Sequence, residues 1–196
     1  MGSPEEDLVA RLRAGDEAAF TKLVSEHHGA LVRLARAFVG SEGIAEEVAQ
    51  ETWLALLDGL EAFEGRSALK TWLFRVLVNR ARTRAKKNGR EIPFDVGDDE
   101  AHPDEGRFSS GGYWNTWPRP WSEADIDQRR ILEIVRREVD RLPEAQRAVV
   151  IMRDIEGLDA KEVCNVLSIQ ETHQRVLLHR GRSRLRTAIE KELGER

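Results

Sequence analysis

Asp159-Ala-Lys-Glu-Val-Cys-Asn-Val-Leu-Ser-Ile-Gln-Glu-Thr-His-Gln-Arg-Val176 is the stretch that decides the fold. Ala160, Val163, Cys164 and Leu167 recur at i, i+3, i+4 and i+7, which is the buried side of a short helix. Asp159 stands where an N-cap is expected. Ser168-Ile169 makes the turn, and a longer, polar-faced helix follows to about Leu193. A short helix, a tight turn and a longer helix form a helix-turn-helix. Such a unit lays its second helix in the major groove, with the early residues over base edges. Here those residues are Gln170, Glu171, Thr172, His173, Gln174 and Arg175. Gln and Arg can make bidentate base contacts, and Thr can touch a thymine methyl. Thr172, Arg175, His179, Arg182 and Arg186 share one helical face by spacing. A helical bundle with a solvated basic face gives the same spacing, so both readings stand at this point.

Upstream, Ile131, Ile134, Val135, Glu138 and Leu142 set one helix of this C-terminal unit. Pro143 suits the first turn of the next. That helix turns Ala148, Val149, Met152 and Ile155 inward and ends at Gly157. Further back, from Glu91 to about Trp121, the helical period vanishes. Pro93, Pro103, Pro118 and Pro120 break it. Residues 91–127 read as a linker, acidic at first and then tryptophan-rich. Trp114, Trp117 and Trp121 are expected to pack on the chain's own domains or on a regulator, because a purely solvated linker rarely carries such residues.

The first 90 residues again read as helices. Leu8, Val9 and Leu12 begin an apolar stripe, and Leu31, Leu34, Ala35, Phe38 and Val39 form a longer one that Gly40 and Gly43 end. Ala45, Val48, Ala49, Thr52, Trp53, Leu56, Leu57 and Leu60 make a third. After a short loop over 62–68, Leu69, Trp72, Leu73, Val76, Leu77 and Ala81 make a fourth. Trp53 and Trp72 are expected as core anchors. The fold class is therefore all-α: two small helical domains, 1–90 and 128–196, joined by the long linker 91–127. No strand is expected.

Charge is distributed in blocks. The net charge is -4, yet residues 66–90 hold nine Lys/Arg and no acid, and residues 91–105 hold seven Asp/Glu and no base. Local charge governs phosphate attraction, because salt screens exposed charges beyond roughly 8 Å. Arg75, Asn79, Arg82 and Lys86 fall at i, i+4, i+7 and i+11, a stripe about 16 Å long at a 1.5 Å rise. Arg80, Arg84 and Lys87 flank it. One side of this helix packs while the other can meet phosphates. On the preceding helix, Glu46, Glu47, Gln50 and Glu51, with Leu54 beside them, face away from the apolar stripe. That face suits a basic protein partner rather than a nucleic acid, and composition by itself favours the plainer reading of a solvated helix exterior.

Other classes find little support. No stretch approaches the roughly 20 apolar residues of a membrane span, and the polar N-terminus does not read as a signal peptide. A cytoplasmic protein without membrane contact of its own is expected. Cys164 is the single cysteine, so neither an internal disulfide nor a cysteine-based zinc site can form, and it is expected as a small core residue. His27 and His28 are adjacent and point in different directions on a helix. No Gly-rich phosphate loop and no nucleophile–base set stands out. No catalytic residue, metal ligand or cofactor is expected.

Two blocks of sequence carry a resemblance. Ala45-Glu-Glu-Val-Ala-Gln-Glu-Thr-Trp-Leu54 and Phe63-Glu-Gly-Arg-Ser-Ala-Leu-Lys-Thr-Trp-Leu-Phe-Arg-Val-Leu-Val-Asn-Arg-Ala81 form the first. Leu142-Pro-Glu-Ala-Gln-Arg-Ala-Val-Val-Ile-Met-Arg-Asp-Ile-Glu-Gly-Leu158, the helix-turn-helix and Leu178-His-Arg-Gly-Arg-Ser-Arg-Leu-Arg186 form the second. In this order, over roughly 16–90 and 128–193, they resemble extracytoplasmic-function sigma factors of the sigma-70 family of bacterial RNA polymerase.

The resemblance implies a transcription initiation factor that directs core polymerase to promoters. Its partners would be core RNA polymerase, through the largest and second-largest subunits, promoter DNA and an anti-sigma factor, and the free protein would be a monomer. The face of Glu46, Glu47, Gln50, Glu51 and Leu54 matches the polymerase-docking face. The loop Glu64, Gly65, Arg66, Ser67 and Ala68 matches the pocket for a base flipped from the minus-ten element. Arg75, Asn79, Arg80, Arg82 and Lys86 match the helix that holds the adjoining DNA. Gln170, Glu171, Thr172, His173, Gln174, Arg175, His179 and Arg182 match the reader of the minus-thirty-five element. Two departures stand out. His173-Gln174 replaces a common Thr-Val pair, and Gly181 replaces Ala, although Gly inside a helix costs about 1 kcal/mol. The other reading is a stand-alone helix-turn-helix regulator, which explains the second domain but gives the first no role.

Overall fold

The computed structural model describes residues 4–90 and 128–194, and every regular element among them is helical. The expected linker, with its three tryptophans, lies outside the described residues. The helices are α1 (Pro4–Arg13), α2 (Glu17–Val39), α3 (Glu42–Gly59), α4 (Leu69–Lys87), α5 (Gln128–Arg141), α6 (Glu144–Val150), α7 (Ala160–Leu167) and α8 (Glu171–Gly194). A single π-helical turn, Ile151–Ile155, continues α6. The chain divides into two compact units, one of Met1–Ile92 with Lys161–Ser168, the other of Pro93–Ala160 with Ile169–Arg196.

In the first unit α2 packs against both α3 and α4, which also pack against each other. The apolar stripes explain why. Leu31, Leu34, Ala35 and Phe38 of α2 are fully buried, as are Ala45, Ala49 and Leu56 of α3 and Leu73, Phe74, Leu77 and Val78 of α4. Thr52 is buried too, and its hydroxyl donates to the Val48 carbonyl at 2.8 Å, which removes the penalty of an unmatched polar group. Asp16 caps α2: its carboxylate accepts the Ala19 N–H at 3.0 Å and pairs with Arg11 at 2.8 Å. The Ala19 N–H, then Arg11, hold that carboxyl below the usual aspartate range. Gly40 closes α2 in the left-handed region at φ 72°.

Three expectations are corrected in this unit. Gly43 does not end α2 but sits in the first turn of α3. Leu57 was expected inward and is 52% exposed, because the buried side of α3 runs through Thr52, Trp53, Leu56 and Leu60. Trp72 is half-buried rather than enclosed. It lies edge-on to Phe63, with ring centroids 5.8 Å apart, and against Gly59, where an added Cβ would stand 3.2 Å from its ring.

In the second unit α8 packs on α5 and α6. Helix α6 is enclosed: Ala148, Val149, Val150, Ile151 and Met152 are all buried. The buried carboxylate of Glu138 is matched by Arg137 at 3.0 Å and Arg141 at 2.8 Å. Ile155 was expected inward but is 46% exposed. The π turn is the reason. Its wider turn, with an extra residue marked by the Glu156 N–H reaching the Ile151 carbonyl at 2.9 Å, swings Ile155 out. Leu158, only 3% exposed, then takes the inward place. Cys164, expected in the core, is half-buried.

Gly181 explains one departure from the family pattern. It is buried on α8, and a Cβ built there would lie 2.7 Å from Cγ2 of Val150. Val is β-branched and stiff, so its methyl cannot swing aside. Gly181→Ala should therefore destabilise the second unit. Overpacking of about 1–3 kcal/mol opposes a helix-propensity gain of about 1 kcal/mol. Chemical denaturation should show a lower midpoint for Gly181→Ala, and a favourable coupling with Val150→Ala in a double-mutant cycle. A gain in stability would mean that α6 and α8 separate without cost.

Candidate nucleic-acid interface

Helix α4 presents Arg75, Asn79 and Lys86 to solvent. Arg82, on the same stripe, is half-buried, with its guanidinium 5.9 Å from the Phe38 ring centre. Burial pushes its pKa below the usual arginine value. An arginine nonetheless remains charged in a protein, so a cation is held beside the core.

The flanking arginines behave differently. Arg80 reaches Glu51 of α3 at 3.3 Å, and Arg84 pairs with Glu47. The acidic face of α3 and the basic face of α4 were expected as separate surfaces. The structure laces them together along a groove that Val76, Asn79, Thr83 and Lys87 also line. The cause is the direct packing of α3 on α4, which sequence spacing within either helix cannot show. Exposed pairs of this kind contribute about 0–1 kcal/mol each and are screened by salt. They can therefore exchange for another partner at small cost.

The rest of the α3 face is open. Beside the laced Glu47, Gln50 and Leu54 are exposed, and Leu57 extends the patch by one turn. Leu57 was missed as a surface residue because it was counted in the apolar stripe. Glu46 is held by His28. The Trp53 indole, which can only donate, gives its Nε1 proton to His28 Nδ1 at 3.1 Å. His28 Nε2 must then carry the ring proton and donate it to Glu46 at 2.9 Å. Both ring nitrogens are thus occupied with orienting Glu46 and anchoring Trp53. Among the described residues no group of three or more His, Cys, Asp or Glu could hold a metal ion.

The loop between α3 and α4 exposes Glu64, Gly65, Arg66, Ser67 and Ala68. Gly65 takes φ 68°, a conformation that suits glycine, and Arg66 pairs with Glu64. Phe63 is buried beneath the loop.

In the second unit, Gln170, Glu171, Thr172 and Arg175 at the start of α8 are exposed. Gln174 is corrected: it is only 2% exposed. It continues the inward row Gln174, Leu177, Leu178 and Gly181, at i, i+3, i+4 and i+7. Six consecutive residues cannot all face one groove at 3.6 per turn. Val176, 39% exposed and one turn beyond Thr172, takes a place on the open face that sequence reading missed. His173 and His179 are half-buried. Arg182 is bound by Asp154 through a two-point contact, Nε to Oδ2 at 2.9 Å and Nη2 to Oδ1 at 2.5 Å. Asp154 stands on the π turn.

A polar-faced helix after a tight turn, and an arginine-striped helix elsewhere on the chain, place the protein in a class of all-helical proteins built from two units. Comparison with known proteins agrees. Residues 23–91 match the model of sigma-70 region 2, and residues 132–185 match that of sigma-70, region 4. The chain is 30% identical over 184 residues, 93% of each protein, to the ECF RNA polymerase sigma-E factor of Salmonella typhimurium. It is similar in fold to CnrH, solved in complex with the cytosolic domain of CnrY, with a TM-score of 0.59, 22% identity, and coverage of 96% of this chain and 98% of that one. It is equally similar to the sigma factor RpoE of Bartonella quintana, solved with the anti-sigma factor NepR, with a TM-score of 0.59, 22% identity, and coverage of 87% and 96%. The chain belongs to the extracytoplasmic-function sigma factors of the sigma-70 family.

The two-point pair on Arg182 makes a quantitative expectation. Asp154→Asn relieves Arg182 of a charged competitor for phosphate. Affinity for duplex DNA should rise, and the slope of log K against log salt should steepen by about 0.9, as for one added phosphate contact. Fluorescence anisotropy at several salt concentrations measures both. An unchanged slope would assign Arg182 to holding α8 on the π turn instead.

Proposed function

We propose that the chain docks on core RNA polymerase through the exposed face of α3, holds the melted minus-ten strand with the α3–α4 loop and α4, and reads the minus-thirty-five element with the exposed start of α8. The observation that carries this reading is that one chain presents all three surfaces, each on the segment where the family has it. Gln50, Leu54 and Leu57 form an open, mostly apolar patch beside Glu47, which suits a protein partner. Arg75, Asn79 and Lys86 are open on α4 and suit a phosphate backbone. The loop 64–68 suits a base, since it is exposed and carries no bulky side chain except Arg66.

Such a protein acts by binding rather than catalysis. Unstacking a base costs a few kcal/mol, and a pocket that accepts the flipped base offsets that cost while selecting its identity. The relative solved with the anti-sigma factor NepR supports control of this chain by an anti-sigma factor. None of the described helices is long and apolar enough to cross a membrane.

Run-off transcription with purified core polymerase on a promoter library tests the reading directly. Transcripts should require the protein. The laced ion pairs dictate the choice of variants: altering Glu47, Glu51, Arg80 or Arg84 disturbs both surfaces at once. Leu54→Asp with Leu57→Asp should weaken core-polymerase binding by roughly ten- to hundred-fold, the value of about one fully buried leucine. Arg75→Ala with Lys86→Ala should leave that binding intact and reduce open-complex formation. Absence of transcripts, together with tight binding to a defined duplex without polymerase, would establish a stand-alone regulator instead.

A further inference from the structure

Helix α1 contributes two long charged side chains that the readings above leave without a role. Arg13 turns toward the end of α3. Its Nε donates to the Leu60 carbonyl at 3.1 Å, and its Nη2 donates to the carbonyls of Phe63 at 2.5 Å and Glu61 at 3.5 Å. These carbonyls lie in the turn just beyond the last residue of α3, the end of a helix that favours a cation. Glu5, two turns earlier on α1, accepts the N–H of Leu69, the first residue of α4. That end of α4 favours an anion, and its own N-cap, Ala68, has no side chain able to bond there. One helix thus caps both helix ends that flank the loop. Between these two fixed ends, Glu64 to Ala68 are all exposed. Val9 and Glu6 of α1 line one groove together with Phe63, Gly65 and Ser67 of this loop region.

We infer that α1 sets the geometry of the α3–α4 loop, and that Arg13 and Glu5 are positioning residues for selection of the flipped base. The inference rests on the reading of residues 64–68 as the base-accepting loop. The energetic logic is pre-organisation. A loop free at either end loses conformational entropy when it closes on a base, and that cost falls on binding. A loop tethered at Leu60–Phe63 and at Leu69 has already lost it. Selectivity depends on tethering too, because a loose loop can adapt to any base. Arg13 is exposed and Glu5 is half-exposed on a peripheral helix. Replacing either therefore leaves the α2–α3–α4 core untouched.

The test uses the full-length protein in holoenzyme with core polymerase. Binding is selected from a premelted promoter library randomised on the non-template minus-ten strand. Hydrogen exchange of residues 60–69 is measured on the same variants. Arg13→Ala and Glu5→Ala should raise exchange in the loop but not in α2, and should reduce base selection by about ten-fold. Their affinity for core polymerase should not change. Glu5→Gln keeps an acceptor oxygen for the Leu69 N–H and should behave as the parent protein, whereas a merely stabilising negative charge would be lost in it. Ser67→Trp, which fills the groove, is the control for the loop itself. Should Ser67→Trp abolish selection while Arg13→Ala and Glu5→Ala retain it, α1 is no positioning element and the loop reading survives. Should Ser67→Trp also retain selection, the loop is not the base site, and the inference falls with that reading.

Discussion

The first unit depends on one constraint: α2 must be buried on two sides at once. Leu31, Leu34, Ala35 and Phe38 are sealed between α3 and α4. That burial commits the inward stripes of α3 and α4 and leaves their outward faces available for other molecules. The Gln50–Leu57 patch and the arginine stripe occupy those faces. The same constraint brings α3 and α4 side by side, so carboxylates of one meet guanidinium groups of the other.

That lacing alters how the charges should be read. A basic helix and an acidic helix on one chain look like two addresses for two partners. In the free protein they are partly addressed to each other, through Glu51–Arg80 and Glu47–Arg84. Each pair is exposed and weak, so it costs little to break, yet it fixes where the side chains wait. The His28 bridge between Trp53 and Glu46 works in the same way at the core's edge. An indole that needs an acceptor and a carboxylate that needs a donor share one ring, and both are oriented by it.

The second unit relies on close approach. Gly181 lets α8 lie against Val150, and the π turn after α6 rotates the following side chains by one position. Ile155 is swung out by that rotation, Leu158 is brought in, and Asp154 is left where it meets Arg182. A residue that is unfavourable for a helix by itself, and a turn that is irregular, are together what bring α8 against its support.

Much of this was legible in the amino-acid order. The helices and the loop at 62–68 follow from periodicity, and periodicity is a property of neighbours along one chain. The roles of Trp53, Leu34 or Leu73 were legible because apolar residues at helical spacing have one side to bury. What the order could not convey was any relation between helices. Gln174 turned inward, Leu57 and Ile155 turned outward, and Gly181 proved a contact rather than a weakness. In each case a partner helix or a π turn decided the outcome. Arg13 and Glu5 carried no signal at all, since the carbonyls and the N–H they serve lie about fifty and sixty positions away. The sequence by itself determined which segments are helical and which faces are apolar, because those depend on local spacing. Tertiary structure alone decided which charges are already paired and which loop ends are held, because those depend on residues that only folding brings within hydrogen-bond reach.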